Sequence, residues 1–302
     1  MTNSSITPAV GERRPMAHQS TARQPLITVR RGAGRLLTYV VLIVFTAVLL
    51  FPVYWLASGS LKTPDAIAAY PVIWFPSPLA WGNYSTLFQS LPMGTYFFNT
   101  LFVAVCATIG TTFSSAIVGY SFARLRFPGR NALFVLALST LMVPSFVTLI
   151  PQFVMFKSFG WLDTFAPLIV PQLFANPAYL FLTRQFFLTQ PRELEDAAKI
   201  DGCGYVRTFW SIALPLIKPA LIAVALFTFL YNWNDFLGPL IYLQSSDHLT
   251  LQLGLAQLQS QYSTHFELIM VGAVVSTLPV IALFFIGQRW FIQGIVVTGV
   301  KG

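Results

Sequence analysis

Long apolar stretches constrain this chain more than any other feature of its sequence. Apolar residues make up 55% of the 302 residues and charged residues only 9%, whereas soluble domains usually carry about a quarter charged residues. A helix of about 20 apolar residues is long enough to cross roughly 30 Å of hydrocarbon. The composition therefore excludes a water-soluble fold and predicts an all-α, polytopic membrane protein.

Six transmembrane helices are predicted from the positions of these stretches. They lie at residues 36–57, 97–120, 131–152, 165–186, 218–243 and 268–291. The third and fourth are interrupted by Pro144, Pro151, Pro167, Pro171 and Pro177. Proline removes a backbone hydrogen bond, and within lipid it is tolerated where neighbouring groups satisfy the freed carbonyls. We therefore expect kinks, or a broken helix, in these two spans.

The distribution of positive charge predicts the orientation of the chain. If both termini are cytoplasmic, only Lys62 and Lys157 of the 18 Lys and Arg fall in the segments on the outer side. Cytoplasmic loops carry an excess of Lys and Arg, so this asymmetry predicts cytoplasmic termini. Topology thus explains the net charge of +8, and we expect no nucleic-acid partner.

The N-terminal 34 residues differ from the rest in composition. They are polar and rich in arginine, without apolar periodicity, which is typical of a disordered tail. We expect residues 1–34 to form a basic cytoplasmic tail and residues 35–302 to form the transmembrane domain. The apolar stretch from Leu36 to Ala57 exceeds the 7 to 15 residues of a signal peptide, so it is predicted to remain as an uncleaved anchor.

Motifs for catalysis and for nucleotide or metal binding are missing from the sequence. It contains no G-x-x-x-x-G-K-[ST], no H-E-x-x-H and no G-x-S-x-G pattern. Its two cysteines, Cys106 and Cys203, lie in a span and in a cytoplasmic loop, and its three histidines are scattered. We predict that the chain is not an enzyme, and that it has no catalytic residue, metal site or cofactor of its own.

One polar cluster lies inside the fifth predicted span. It consists of Asn232, Trp233, Asn234 and Asp235. An ionisable group near the membrane centre costs about 2.5 to 3.5 kcal/mol to insert. Two interpretations stay open: the cluster lines a translocation path, or it forms hydrogen bonds between helices or near the outer interface.

The second span carries small residues four positions apart, at Gly110 with Ser114 and at Ser115 with Gly119. This spacing lets two membrane helices approach closely. A packing face is the preferred interpretation over a role in a pore.

The loop at residues 187–217, between the fourth and fifth spans, is unusually rich in charge. Pro191 suits the first turn of a helix, and the acids that follow place negative charge near its positive end. Gly202 is suited to end this helix, because glycine adopts the left-handed conformation readily. Four residues are predicted to share one face: Leu194, Ala197, Ala198 and Asp201. Such a helix fits either docking to another protein or lying on lipid headgroups.

The motif in this loop resembles the signature of integral membrane subunits of binding-protein-dependent ABC importers. That signature is Glu-Ala-Ala, three residues, Gly, nine residues and Ile-x-Leu-Pro. This chain keeps every interval, with Asp196, Ala197, Ala198, Gly202, Ile212, Leu214 and Pro215. It departs in having Asp in place of the leading Glu, and Cys203 where another small residue is usual.

Further stretches resemble the carbohydrate branch of the family, and most of all the second permease subunit of the maltose type. They read "FPSPLAWGNYSTLF", "WNDFLGPL" and, at the C-terminus, "RWFIQGIVVTGVKG". The resemblance implies a type I ABC importer permease fold in the bacterial inner membrane, with its core at about residues 95–291. It also implies a solute such as a sugar, an oligosaccharide, a polyol or a glycerol phosphate.

The resemblance implies partners as well: a second permease subunit, ABC ATPase subunits that bind ATP and Mg, and an extracytoplasmic solute-binding protein. The outer loop, defined as residues 244–267, would face the binding protein, although a solvated linker is an equal alternative. Residues expected to couple to the ATPase are Glu193, Asp196, Ala197, Ala198, Asp201, Gly202, Ile212, Leu214 and Pro215. The alternative functions are a secondary transporter or channel, without an ATPase, and an intramembrane enzyme.

Overall fold

The structure is a computed structural model that describes residues 25–261 and 265–299, with side chains for 36–261 and 265–288. Within these ranges it contains helices and turns but no strand, which confirms the all-α prediction. Two compact units divide the chain, residues 1–53 and 54–302. The contacts described below lie within the second unit.

Fifteen α-helices are assigned in the described residues. They are α1 (Pro25–Ser60), α2 (Pro64–Ala68), α3 (Gly82–Ser90), α4 (Met93–Arg124), α5 (Arg130–Ser139), α6 (Ser145–Ser158), α7 (Ala166–Ile169), α8 (Pro177–Thr189), α9 (Glu193–Ile200), α10 (Tyr205–Thr208), α11 (Leu214–Leu216), α12 (Lys218–Trp233), α13 (Leu237–Tyr242), α14 (Leu251–Gln261) and α15 (Phe266–Gly299). Short 3₁₀ turns follow α5 and α7 and precede α14, and a π-helix, Phe209–Ala213, joins α10 to α11.

Helix α1 starts earlier than the sequence predicted. It begins at Pro25 and is 36 residues long, so residues 25–34 are helical where a disordered tail was expected. Extending an existing helix costs far less than starting one, which allows a long apolar span to continue into flanking sequence. The rest of the predicted tail, residues 1–24, lies outside the described residues.

Three continuous helices in the described residues are long and apolar enough to cross a membrane: Leu36–Ser60, Met93–Arg124 and Phe266–Gln288. Two further candidates are bent pairs, Arg130–Met142 with Ser145–Ser158 at 98° and Tyr205–Leu216 with Lys218–Trp233 at 78°. Length and composition thus give three spans, or five if each bent pair is one span. The predicted span at 165–186 is broken into α7, a 3₁₀ turn and α8, and this confirms the expected disruption by proline.

The predicted fifth span is also discontinuous, which the sequence analysis did not anticipate. Helix α12 ends at Trp233 and α13 begins at Leu237, so the expected continuous helix at 218–243 is wrong in this respect. Pro239 has no amide proton to bond the carbonyl of Asp235, four residues earlier, and its ring crowds that carbonyl. The polar cluster therefore lies at a break between two helices.

Close packing around α4 organises the core of the second unit. A Cβ atom on Gly119 would overlap the side chain of Thr183, and one on Gly110 would lie 2.5 Å from Leu173 Cδ2. The Thr183 hydroxyl donates to the carbonyl of Ser115, at 2.8 Å. Small residues thus bring α4 against α8 and the turn before it, and the predicted packing face is confirmed.

Candidate functional site

Helix α9 forms the centre of the charged loop. It runs from Glu193 to Ile200, so Pro191 precedes the helix and does not lie in its first turn as predicted. Three acids, Glu193, Glu195 and Asp196, occupy the first turn. They stand at the positive end of the helix dipole, where negative charge is stabilising.

The end of α9 is fixed by a glycine-dependent cap. Gly202 has a φ of 78°, in the left-handed region. Its N–H donates to the carbonyl of Lys199 at 3.0 Å, and the N–H of Cys203 donates to that of Ala198 at 2.8 Å. These two bonds form a Schellman motif. The prediction that Gly202 ends the helix is therefore confirmed.

The exposed face of α9 differs from the predicted face at one position. Leu194, Ala197 and Asp201 are exposed as a group, but Ala198 is buried. Ala198 lies three residues after Glu195, which is also buried, and residues three apart are neighbours on a helix. The inner face of α9 thus consists of Glu195 and Ala198, whereas Asp196 and Ala197 face outward.

A buried ion pair that the sequence analysis missed attaches α9 to the end of α4. The Nε atom of Arg124 lies 2.8 Å from Oε1 of Glu195, and the two side chains are only 4% and 11% exposed. Arg124 also donates to the carbonyl of Gln190 at 2.7 Å, and the hydroxyl of Tyr120 donates to Glu195 at 3.4 Å. Two features of the sequence could have indicated this ion pair. One is Arg124, an arginine just after the second predicted span, and the other is Glu195, an acid next to the motif residue Asp196.

The chain after Gly202 anchors the loop from its other end. Phe209 and Ala213 of the π-helix are buried in a cluster with Tyr120 and Phe187. The motif residues Ile212 and Leu214 are half-buried, and Pro215 is exposed. The first half of the motif thus presents an exposed helix face, while its second half lies close to the membrane helices.

The break between α12 and α13 opens into a cavity of about 300 Å³. Its polar lining residues are Ser145, Thr148, Gln152, Gln172, Tyr231, Asn232 and Asp235. No Lys, Arg or His is among the residues that line it. Hydrogen-bonding groups from α6, the turn after α7 and the end of α12 therefore converge on one pocket in a largely apolar protein.

Only two of the four residues in the predicted polar cluster line this cavity, namely Asn232 and Asp235. Trp233 is fully buried, and its indole N–H donates to the carbonyl of Ser276 at 3.0 Å. Asn234 is exposed and donates to the carbonyl of Leu230 at 2.8 Å. The structure therefore places Trp233 in packing between helices and Asn234 outside the cavity.

Two cavity residues, Gln152 and Gln172, were not selected from the sequence. Each follows a proline within a disrupted span, Pro151 and Pro171. An amide side chain beside a helix-breaking residue inside an apolar stretch was the signal that could have identified them. On the other side of the cavity, Asp235 accepts a hydrogen bond from the N–H of Gly238 at 3.2 Å, and within the described side chains it has no ion-pair partner.

The described part of the outer loop is a folded element, so the alternative of a solvated linker is wrong for it. Helix α14 buries Leu251 and Leu258, and the N–H of Leu251 donates to the hydroxyl of Thr100 on α4 at 2.7 Å. The side chain of Asn99 donates to the carbonyls of Asp247 and Leu249. Contacts with α4 thus hold this loop in place.

Asp163 forms a second attachment for the outer loop. Its Oδ1 accepts bonds from the N–H groups of Ser245 and Gln244, each at 2.9 Å, and from the Ser245 hydroxyl. These donors hold the pKa of the Asp163 carboxyl well below its usual value of 3.8. Because the pKa of this carboxyl is lower in the folded state, its hydrogen bonds stabilise the fold at any pH above its usual pKa. This stabilisation is lost only when the pH falls through the lowered pKa of the folded state. The Asp163 carboxyl therefore stays ionised in the neutral range and keeps these hydrogen bonds, and Nδ1 of His248 also lies 3.4 Å from its Oδ1.

Among the described residues, no group of three His, Cys, Asp or Glu side chains lies close enough together to hold a metal ion. The two features with functional geometry are thus the capped, exposed helix α9 and the polar cavity beside Asp235. A pocket lined by hydrogen-bonding groups and one carboxylate, together with an exposed loop anchored on membrane helices, is typical of a transport protein that presents a surface to a partner.

Comparison with known proteins gives the family. The family described as "Binding-protein-dependent transport system inner membrane component" matches residues 115–297. The arabinooligosaccharides transport system permease protein AraQ of Bacillus subtilis (strain 168) is 37% identical over 256 residues, which cover 84% of this chain and 91% of AraQ. The sn-glycerol-3-phosphate transport system permease protein UgpE of Yersinia enterocolitica is 33% identical over 279 residues, covering 90% and 99%.

A third relative is the lactose transport system permease protein LacG of Rhizobium radiobacter, 33% identical over 269 residues that cover 89% of this chain and 97% of LacG. A solved structure of a bacterial ABC transporter involved in the import of the acidic polysaccharide alginate has a similar fold. Its TM-score is 0.76 at 21% identity, covering 90% of this chain and 100% of that chain. This chain belongs to the family of binding-protein-dependent transport system inner membrane components, and it is a multi-pass inner-membrane ABC importer permease.

Proposed function

We propose that this permease carries a neutral carbohydrate across the inner membrane, in a complex with a second permease subunit, ABC ATPase subunits and an extracytoplasmic solute-binding protein. Both termini are cytoplasmic in this proposal. ATP and Mg are bound by the ATPase, and this chain contributes no catalytic residue. The observation that carries the proposal is helix α9, which is exposed on one face, closed by the Gly202 cap and fixed to α4 by the Arg124–Glu195 pair.

Rigidity is what makes α9 suitable for transmitting a conformational change. Moving an equilibrium between two states from 1:99 to 99:1 takes about 5.5 kcal/mol of differential binding. A flexible loop would dissipate such a difference in its own motion, whereas a capped helix with a buried ion pair passes displacement to α4. The exposed Asp196, Ala197 and Gly202 are therefore proposed to dock on the ATPase.

The polar cavity supports a neutral, hydroxyl-rich solute. Amide and hydroxyl groups both donate hydrogen bonds to sugar hydroxyls and accept them, and an ionised carboxylate accepts them. Asn232 and Gln152 supply amides to the cavity, and Asp235 supplies the carboxylate. An anionic solute such as a glycerol phosphate would meet Asp235 without a cation in the cavity lining to compensate. The relatives named for arabinooligosaccharides and lactose agree with this preference for a neutral solute. The relative named for sn-glycerol-3-phosphate represents the alternative class, an anionic solute.

Co-purification and uptake test the proposed function together. The tagged chain, purified in mild detergent from cells that express the whole system, is expected to retain an ABC ATPase. Vesicles with this complex and its binding protein should take up a neutral oligosaccharide only when ATP is supplied. Uptake that continues after the ATPase is removed would favour a secondary transporter or channel, and preferential uptake of glycerol phosphate would contradict the neutral solute class.

Replacement of Asp235 tests the cavity as the translocation path. Asp235→Ala removes a hydrogen-bonding group from a largely buried site, and a bond to a charged group contributes about 1.5 to 3 kcal/mol. We therefore expect uptake at low solute concentration to fall by about tenfold or more, with assembly unchanged in co-purification. Asn234→Ala is the matched control, because Asn234 is adjacent but lies outside the cavity lining. If Asp235→Ala takes up solute at the wild-type rate, the polar cluster does not line the translocation path and has a packing role only.

A further inference from the structure

A cleft lined by arginines lies at the junction of α4 and α5. Its volume is about 510 Å³. Its charged lining consists of Arg126, Arg130 and Arg192, and no acidic residue lines it. We name it the arginine cleft and define it by these three residues.

The arginines of the cleft form no ion pair among the side chains that the structure describes. In the part of the chain described with side chains, no carboxylate lies within ion-pair distance of Arg126, Arg130 or Arg192. The nearby acids already have other partners, since Glu195 pairs with Arg124 and Asp196 pairs with Lys199, each within 2.9 Å. Three cations around one concave space therefore remain available for an external anion.

The local backbone positions these cations. Gly129, at a φ of 75°, allows the tight reversal between α4 and α5, and the guanidinium of Arg130 donates to the carbonyl of Leu125 at 3.2 Å. Arg192 is the residue that immediately precedes α9. The cleft is thus formed by two short connections, each held at its ends by helices.

The depth of the cleft points to lipid. Only residues 125–129 separate α4 from α5, and both helices belong to candidate membrane spans. So short a connection stays close to the ends of both helices, which favours a position near the phosphate groups of phospholipids. Basic pockets between membrane helices at this level bind anionic headgroups, and Phe127 in the lining suits the boundary with the acyl chains.

We propose that the arginine cleft binds the headgroup of an anionic phospholipid, with Arg126, Arg130 and Arg192 around its phosphate. Because Arg192 immediately precedes α9, a lipid bound here would join the membrane surface to the start of the charged loop. The site is separate from the polar cavity, and it requires membrane insertion but not transport of any particular solute.

The test uses the delipidated full chain in detergent, titrated with phosphatidylglycerol or with phosphatidylcholine of the same acyl chains. Thermal unfolding is the readout. Phosphatidylglycerol is expected to raise the unfolding midpoint, and phosphatidylcholine is not. Each replacement, Arg126→Gln, Arg130→Gln or Arg192→Gln, should weaken the apparent affinity for phosphatidylglycerol by about fivefold. Arg207→Gln is the matched control, because Arg207 is exposed in the same loop but does not line the cleft.

Three results would overturn the proposal. The first is equal stabilisation by both lipids, and the second is an undiminished phosphatidylglycerol effect in the variants. The third is the same shift with inorganic phosphate at matched concentration, which would indicate a site for free anions. If a variant does not fold, a photoreactive phosphatidylglycerol is used on the wild-type chain. Labelling of the segment 125–132 supports the proposal, and labelling only elsewhere, or its loss when the ATPase binds, contradicts it.

Discussion

Gly202→Asp is expected to abolish solute uptake and solute-stimulated ATP hydrolysis while leaving the permease folded. A Cβ atom at this position would have no atom within 4 Å, so the substitution causes no clash inside the chain. Its backbone cost in the left-handed region is about 1 to 2 kcal/mol, which a folded domain tolerates. An added carboxylate on the proposed docking surface would be buried without a partner, at a cost of several kcal/mol.

The size of this effect distinguishes docking from local strain. We expect uptake to fall by more than about a hundredfold, because about 2.8 kcal/mol of lost docking energy corresponds to that factor. Gly160→Asp is the matched control, since Gly160 also has a positive φ of 69° and open space around its Cβ position, but it lies in a different turn. Uptake and ATP hydrolysis are measured in the assembled complex. Normal values for Gly202→Asp would show that this end of α9 does not couple to the ATPase.

Removal of Glu195 is expected to detach α9 from α4. Truncating one partner of a buried ion pair costs about 3 to 5 kcal/mol, because the remaining charge stays buried without compensation. In the Glu195→Ala variant, the guanidinium of Arg124 would stay buried without a compensating negative charge. We expect a lower unfolding midpoint in detergent, faster proteolysis of residues 187–217 and loss of solute-stimulated ATP hydrolysis.

The exposed pair on the same helix provides the control for charge. Lys199 lies 2.9 Å from Asp196, and these side chains are 50% and 64% exposed. Exposed ion pairs contribute little to stability in water. The unfolding midpoint of Lys199→Ala should therefore equal that of the wild type within measurement error. A double-mutant cycle adds Arg124→Met, and the double variant should lose less than the sum of the single variants. If Glu195→Ala were no more destabilising than Lys199→Ala, the buried pair would not be the attachment of α9.

Much of the charged loop could be predicted because its structure is encoded locally. Acids at the start of α9, a glycine after its end and the spacing of the motif all act within one or two helical turns. The same is true of the prolines that break the third and fourth spans and of the small residues that form the packing face of α4. In each case the residue type determines the backbone geometry or the closeness of approach directly.

The positions that the prediction missed depend on residues far apart in the chain. Arg124 and Glu195 are separated by two predicted spans, and nothing in the sequence near either residue indicates that they meet. The inward direction of Ala198 follows from that contact. Likewise, Gln152, Gln172 and Asp235 come from three separate parts of the chain, a helix, a 3₁₀ turn and a break between helices, and only their packing creates one cavity.

The sequence by itself determined the membrane class, the helical content, the capped helix in the charged loop and the family motif, since these depend on composition and on short-range spacing. Tertiary structure alone decided which face of α9 is exposed, how that helix is attached, and which polar groups of the broken spans share a cavity. The physical reason is that a buried ion pair and a polar cavity depend on how whole helices are placed relative to one another. Local helix propensities do not determine that placement.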